Sequence, residues 1–238
     1  MIGHRGACGV RPENTAVSFA EALRQGAAAI ELDLQLTRDG VPVVFHDRTL
    51  AKVGGRGPIH ARTLAELRTL DFGGWFDAKY EGEKIPTLTG VLDRFGNRTE
   101  LLLELKPVGE TVARVKVLVD AVIAALARCP DVRARILCFE PKVLALVAKA
   151  APKLPLVRNI DERPRGAALT RALAGVGALC LPAREVDAAL AEAVHARKCE
   201  LFVYRCDTPR NLARALQAGV DAIITDRPDW LRTQLRAR

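Results

Sequence analysis

The chain has 238 residues, of which 49% are hydrophobic, enough to bury a sizeable core and too many for an intrinsically disordered chain. Its 36 basic and 28 acidic residues give a net charge of +8, which suits an anionic partner, but the excess is scattered and aromatics reach only 5%, which argues against a nucleic-acid binder built on base stacking. No apolar run is long enough for stable membrane insertion, no charged-then-apolar leader precedes Gly3-His4-Arg5, and the cysteines at 8, 129, 138, 180, 199 and 206 form no Cys-x-x-Cys pair, so a cytoplasmic protein with reduced thiols is expected rather than disulfides or a thiolate metal site.

In chain order, short β-type runs alternate with amphipathic helical stretches. Ile2-Gly3-His4 opens the series, and Thr15 to Gln25 follows as a helix with Gly26 as its stop. Ala29 to Leu34, Val43-Val44-Phe45 and Leu101 to Leu105 are the next strands. Helices over Val112 to Ala127, Lys142 to Ala150, Val186 to Ala196 and Asn211 to Gln217 are then interleaved with the remaining strands. Those strands are Arg135 to Phe139, Leu154 to Val157, Gly177 to Leu181, Leu201 to Tyr204 and Ala222 to Thr225. This alternation predicts an α/β fold with a parallel sheet.

Strand starts at 135, 154, 177, 201 and 222 lie 19, 23, 24 and 21 residues apart, a regular train of compact βα units. A TIM (β/α)8 barrel closes such a train economically and has the right length. A doubly wound open sheet is the alternative, but it usually carries a glycine-rich phosphate loop, and none is found here. One interval breaks the rhythm: Ala29 to Leu101 spans 72 residues. Inside it, Thr37-Arg38-Asp39-Gly40 leaves no room for a crossover helix, so the strands on either side must form an antiparallel hairpin. Setting the returning strand aside leaves eight for the barrel. The chain reads as one domain, 1–238, with a small inserted subdomain after barrel strand two, at about 38–92. The run Val53-Gly54-Gly55-Arg56-Gly57-Pro58 and the pair Trp75-Phe76 suggest a loop-rich cap.

The hairpin also brings chemistry together. With Asp39-Gly40 as the two central turn residues, paired residue numbers sum to 79 and Asp33 falls opposite His46. Glu31 shares that face, because side chains alternate along a strand. His4-Arg5 ends strand one, and Glu104 and Lys106 share a face at the end of barrel strand three. Catalytic groups of TIM barrels sit at the C-terminal ends of strands, so all of these can face one mouth. Glu31, Asp33 and Glu104, three carboxylates without sulfur ligands, suit one hard divalent cation, Mg2+ or Ca2+. Arg5 and Lys106 suit phosphate oxygens, the first by its fork and the second as a point charge. His4 and His46 suit general acid and base.

Short motifs follow one another along the chain: Gly3-His4-Arg5-Gly6, Pro12-Glu13-Asn14-Thr15, Ile30-Glu31-Leu32-Asp33-Leu34, Asp39-Gly40, Val43-Val44-Phe45-His46-Asp47 and Ile85-Pro86-Thr87-Leu88. Leu103-Glu104-Leu105-Lys106 and the closing Gly219 to Pro228 complete the set, which spans nearly the whole chain. In this order they resemble the glycerophosphodiester phosphodiesterase family. The resemblance implies a TIM barrel with an insertion after strand two, and hydrolysis of small anionic glycerophosphodiesters to glycerol 3-phosphate and an alcohol. Position by position, it implies His4 and His46 as the catalytic pair, Glu31, Asp33 and Glu104 as cation ligands, and Arg5 and Lys106 as phosphate contacts. Leu50-Ala51-Lys52-Val53, Leu137-Cys138 and Tyr204-Arg205 depart from the common pattern at the substrate end of the site.

Plainer readings stand beside these. A buried ion pair with Arg5 is the structural alternative for Glu31 and Asp33, and Lys106 is the alternative partner for Glu104. Asn14 or Thr15 can cap the first helix, and Asp226 can cap a turn. His60 and His195 lack acidic or motif context and read as surface or helix residues, and Cys8 and Cys138 as inert packing.

Overall fold

The computed structural model describes residues 1–237. Nine strands make one sheet: β1 (Ile2–Gly3), β2 (Ala29–Leu36), β3 (Pro42–Val44), β4 (Glu100–Leu105), β5 (Ala134–Cys138), β6 (Leu156–Asn159), β7 (Ala178–Pro182), β8 (Glu200–Tyr204) and β9 (Ala222–Thr225). All but β3 pair in parallel in the order β1-β2-β4-β5-β6-β7-β8-β9, and β9 pairs back to β1. The result is a closed TIM barrel, with β3 as an extra antiparallel strand on β2.

The helices are α1 (Ala16–Arg24), α2 (Leu64–Leu67), α3 (Leu88–Phe95), α4 (Val112–Ala127), α5 (Pro141–Ala150), α6 (Ala167–Ala172), α7 (Ala188–His195), α8 (Pro209–Ala218) and α9 (Pro228–Arg236). Thr15, Thr63, Thr87, Thr111, Asp187 and Thr208 start six of them by accepting a hydrogen bond from a first-turn backbone N–H. Thr15 rather than Asn14 therefore caps α1, and α7 begins at Ala188, two residues later than its apolar pattern predicts. Four helices were not expected. α2 and α6 are too short to show a period, and α9 buries only Pro228 and Leu231. α3 lies inside the stretch read as a loop-rich cap, yet Leu88, Val91, Leu92 and Phe95 form a helical stripe that joins the main core. The rings of Phe95 and Phe19 meet edge to face at 5.7 Å.

Strand alternation sorts side chains into two compartments. Ile30, Leu32 and Leu34 of β2 point outward into the helix layer. Ile2, Leu102, Leu137, Val157, Phe202 and Ile224 point inward and fill the lumen. The segment after β3 has a third small core of its own, built on Val43, Phe45, Leu50, Ile59, Leu67 and Phe72. Below the lumen, at the N-terminal ends of the strands, Arg135 donates to Glu100 at 2.8 Å, pairs with Glu200, and lies 5.4 Å from the Phe202 ring centre.

The hairpin corrects the expected register. Leu34, Gln35 and Leu36 pair with Val44, Val43 and Pro42, so paired numbers sum to 78, not 79. The turn holds three residues: Thr37 N–H donates to Val41 O at 3.0 Å, and Gly40 N–H donates to Thr37 O at 3.1 Å. Gly40 has φ +80°, the left-handed residue that such a loop needs. Asp33 consequently faces Phe45, whose N–H donates to Asp33 O at 3.0 Å, and His46 lies one residue further on.

Candidate active site

The mouth of the barrel encloses a cavity of about 390 Å³. His4, Arg5, Glu31, His46, Glu104 and Lys106 line one half, and Phe139, Asn159, Asp161, Tyr204 and Arg205 line the other. Asp33 lies directly beneath, buried. All seven residues expected from the sequence thus come to one place. A cavity of about 480 Å³ on the outer rim, among Arg163, Arg165, Arg184 and Arg214, has no histidine and no cluster of buried carboxylates.

Three backbone devices build the first half. Parallel register sets Asp33 beside Glu104 on one face, with Glu31 one step below on β2. Next, Arg5 and Asn14 both take left-handed backbone conformations, with φ +49° and +58°, a strain that chains tolerate mainly at functional sites. The bend aims Arg5 N–H at Glu31 Oε2, 3.0 Å away, and Asn14 Nδ2 donates to Asp33 Oδ2 at 2.8 Å. Gly6 follows at φ +87°, where a Cβ would meet Ser18 Oγ at 2.4 Å. Finally, Gln35 Nε2 donates to the carbonyls of Phe45 and Asp47, both at 2.9 Å. Those two carbonyls flank His46, so Gln35 turns the histidine into the cavity although the hairpin register does not.

Three carboxylates converge here: Glu31, Asp33 and Glu104 each offer an oxygen within 4.8 Å of the others, and all three are buried. Burial, reinforced by its acidic neighbours, holds Glu31 well above the usual carboxylate range, and burial with the Asp33 charge lifts Glu104 to about 7. Burial also opposes ionisation of Asp33, but Arg5 and then Lys106 outweigh it and hold its carboxyl well below the usual range. Arg5 Nε lies 3.1 Å from Asp33 Oδ2, and Lys106 Nζ lies 3.2 Å from Asp33 Oδ1 and touches Glu104 Oε1. Glu31 Oε1 has no hydrogen-bond partner. An orphaned buried oxygen in an all-oxygen donor set fits a hard cation.

Both histidines are anchored in the same way. His4 Nδ1 lies 2.5 Å from Asp226 Oδ1, and His46 Nδ1 lies 2.9 Å from Asp47 Oδ1. Each pair fixes its ring, and His4 Nε2 lies 3.9 Å from Glu31 Oε2. Burial pushes the His46 imidazole below its ordinary value, against the pull of Asp33.

Sequence reasoning missed Asp226 and Gln35 and gave Asp47 no role. Asp226 was recoverable: in a closed barrel β9 neighbours β1, register sets Gly3 beside Thr225, and the next residues along are His4 and Asp226. Glu13 bridges Arg5 and Lys52 at 3.1 and 2.8 Å, and Lys52 also reaches Asp47 at 3.0 Å.

A closed parallel barrel that gathers two histidines, two cationic side chains and three buried carboxylates at its mouth places the chain among the TIM-barrel proteins, with the cavity at the C-terminal ends of its strands. The family described as "Glycerophosphoryl diester phosphodiesterase family" matches residues 4–230. A glycerophosphodiester phosphodiesterase of Caldanaerobacter subterraneus is 33% identical over 242 residues, covering 99% of this chain and 97% of that protein. One of Bacillus subtilis is 30% identical over 248 residues, covering 96% and 83%. Among solved structures, an Oleispira antarctica phosphodiesterase in complex with the product sn-glycerol-3-phosphate superposes with a TM-score of 0.89 at 27% identity, covering 99% of this chain and 96% of that one. The glycerophosphodiester phosphodiesterase of Agrobacterium tumefaciens gives 0.81 at 28% identity, covering 98% of each. The chain belongs to the glycerophosphoryl diester phosphodiesterase family.

Proposed function

We propose that this chain hydrolyses small glycerophosphodiesters to glycerol 3-phosphate and an alcohol. His4 and His46 form the general acid/base pair, Arg5 and Lys106 hold the phosphate, and Glu31, Asp33 and Glu104 hold one divalent cation, Mg2+ or Ca2+. The observation that carries the reading is Glu31 Oε1, a buried oxygen without a partner inside a cavity that also holds both histidines.

In this reading each residue has a separate task. The Arg5 fork and the Lys106 ammonium bind the phosphate oxygens and set the diester in the mouth. Asp226 and Asp47, through Nδ1, leave Nε2 of each histidine as the nitrogen that gives or takes a proton. A bound hard cation supplies charge neutralisation for the phosphoryl oxygens. The other half of the cavity, walled by Phe139 and Tyr204 rings 6.4 Å apart, receives the rest of the substrate.

Residues 1–238 act as one domain with the insertion at about 38–92, whose separate small core supports that division. Trp75 is the one large hydrophobic residue of the insertion exposed among the described residues, which favours small substrates over lipid-borne ones. No helix of the described residues is long and apolar enough to cross a membrane. The six cysteines are free thiols, which supports a cytoplasmic setting.

The test is incubation of purified protein with glycerophosphocholine and glycerophosphoethanolamine, with Mg2+ or Ca2+ and then with a chelator, reading glycerol 3-phosphate. Product that depends on the cation is expected. A folded sample that makes none in any condition rejects the reading.

A further inference from the structure

A second group of metal-ligating atoms lies behind His4, on the side away from the carboxylate cage. Cys8 Sγ is 3.8 Å from His4 Nδ1, which is 2.5 Å from Asp226 Oδ1, and the three residues offer ligand atoms that all lie within 4.8 Å of one another. Cys8 is set there by the loop between β1 and α1, where Gly9 N–H donates to Asp226 O at 2.8 Å. His4 and Cys8 come from one loop, four residues apart, while the third ligand comes from the far side of the sequence, which is why spacing alone does not reveal the group. Its donor set is nitrogen, sulfur and oxygen, unlike the all-oxygen set at Glu31, Asp33 and Glu104.

We propose that His4, Cys8 and Asp226 form a binding site for a thiophilic divalent ion such as Zn2+, and that its occupancy takes His4 out of the reaction. Zinc bonds of about 2.0–2.1 Å to nitrogen or oxygen and about 2.3 Å to sulfur, at tetrahedral angles, put ligand atoms ~3.3–3.6 Å apart. The Cys8–His4 distance has to close by a few tenths (~0.2–0.3) of an ångström, and the His4–Asp226 pair has to open by less than ~1 Å. Binding releases the thiol proton to solvent and moves the proton of the neutral imidazole from Nδ1 to Nε2. The Cys8 thiolate and the Asp226 carboxylate then balance the charge of the ion, and water fills the fourth position. Burial raises the Cys8 thiol far above its usual range, so without the metal it stays protonated and unreactive. Arg205, 3.4 Å from Asp226 Oδ2 and largely exposed, is the cation that the metal displaces.

The consequence is inhibition rather than activation. With metal on Nδ1, the Nε2 proton is no longer exchanged, because the imidazole has lost its second basic site. Mg2+ and Ca2+ prefer the carboxylate cage and leave the sulfur site alone, so the two metals act in opposite directions on one enzyme. The inhibition rests on the role given to His4 above; the binding does not.

Two measurements test this. Co2+ added to the whole protein should give a thiolate-to-cobalt charge-transfer band in the near ultraviolet, seen without substrate and lost in Cys8→Ala. Micromolar Zn2+, added over saturating Mg2+, should stop turnover reversibly, and Cys8→Ala, with unchanged basal activity, should need about 10–100-fold more zinc. Absence of the band together with equal zinc sensitivity in both proteins overturns the site. A band without inhibition upholds the site and counts against the role of His4 instead.

Discussion

The two ends of the barrel lumen hold charge in opposite ways. At the closed end, Arg135 lies between Glu100 and Glu200, all three part-exposed, and each carboxylate has its partner. At the mouth, Glu31, Asp33 and Glu104 are almost fully buried around Arg5 and Lys106, and one carboxylate oxygen finds no donor. Water reaches the first group and lowers the cost of keeping it charged; the second is desolvated and stays costly unless a ligand completes it. Charge at the closed end is solvated and paired, while charge at the mouth is dry and incomplete.

Five experiments break or sharpen this contrast. The largest effect is expected from His4→Ala and His46→Ala, each lowering kcat by about 10²–10⁴-fold while far-ultraviolet circular dichroism stays unchanged. Near-normal turnover in either variant removes it from the acid/base pair. Lys106→Met should cost about 1.5–3 kcal/mol in kcat/KM, the worth of a hydrogen bond to a charged group. An unchanged kcat/KM would mean that Lys106 serves only Asp33 and Glu104. Mg2+ or Ca2+ at a hundredfold excess over its Kd should stabilise the protein by about 2.7 kcal/mol, read as a rise in Tm that Glu31→Gln abolishes. An equal rise in Glu31→Gln would place the ion elsewhere. At the other end, Arg135→Met should lower stability by about 1 kcal/mol and leave kcat/KM alone, since its partners are part-exposed. A catalytic defect there would dissolve the distinction between the two ends.

The smallest effect concerns pH and lies outside both. A hydrogen bond from Arg24, helped by Gln25 and opposed by burial, lowers the Glu21 carboxyl to about 2. Because the folded value lies below the unfolded one, Glu21 stabilises the protein above its ordinary pKa. That contribution fades as pH falls from about 4.5 toward 2. Glu21→Gln should flatten the acid limb of stability in that window; an unaltered limb would show that the pair contributes nothing.

Much of the fold is legible in the sequence itself. The spacing of β-type runs reports barrel units directly, because each strand and helix must be long enough to cross the same layer. That these seven side chains gather at the mouth is legible because strand alternation and the position of strand ends say which side chains face it. The hairpin register was not, because Asp-Gly serves both a two-residue and a three-residue turn, and only the left-handed Gly40 with its bond to Thr37 tells them apart. His46 still reaches the cavity, for a reason the register argument did not contain: Gln35 holds the carbonyls on either side of it. Asp226 was read as a turn residue because 222 positions separate it from the histidine it anchors, and only barrel closure makes them neighbours. Helices such as α6 escaped because a six-residue helix is set by its surroundings more than by any period of its own.

The closure of β9 onto β1 has a consequence for the life of the chain. His4 is synthesised 222 residues before Asp226, and β1, two residues long, is held by β2 on one side and β9 on the other. A nascent chain can therefore assemble the carboxylate cage from β2 and β4 while its first histidine still lacks an anchor. Turnover is therefore expected only once β9 has been synthesised and has closed on β1, so its appearance marks barrel closure rather than partial folding.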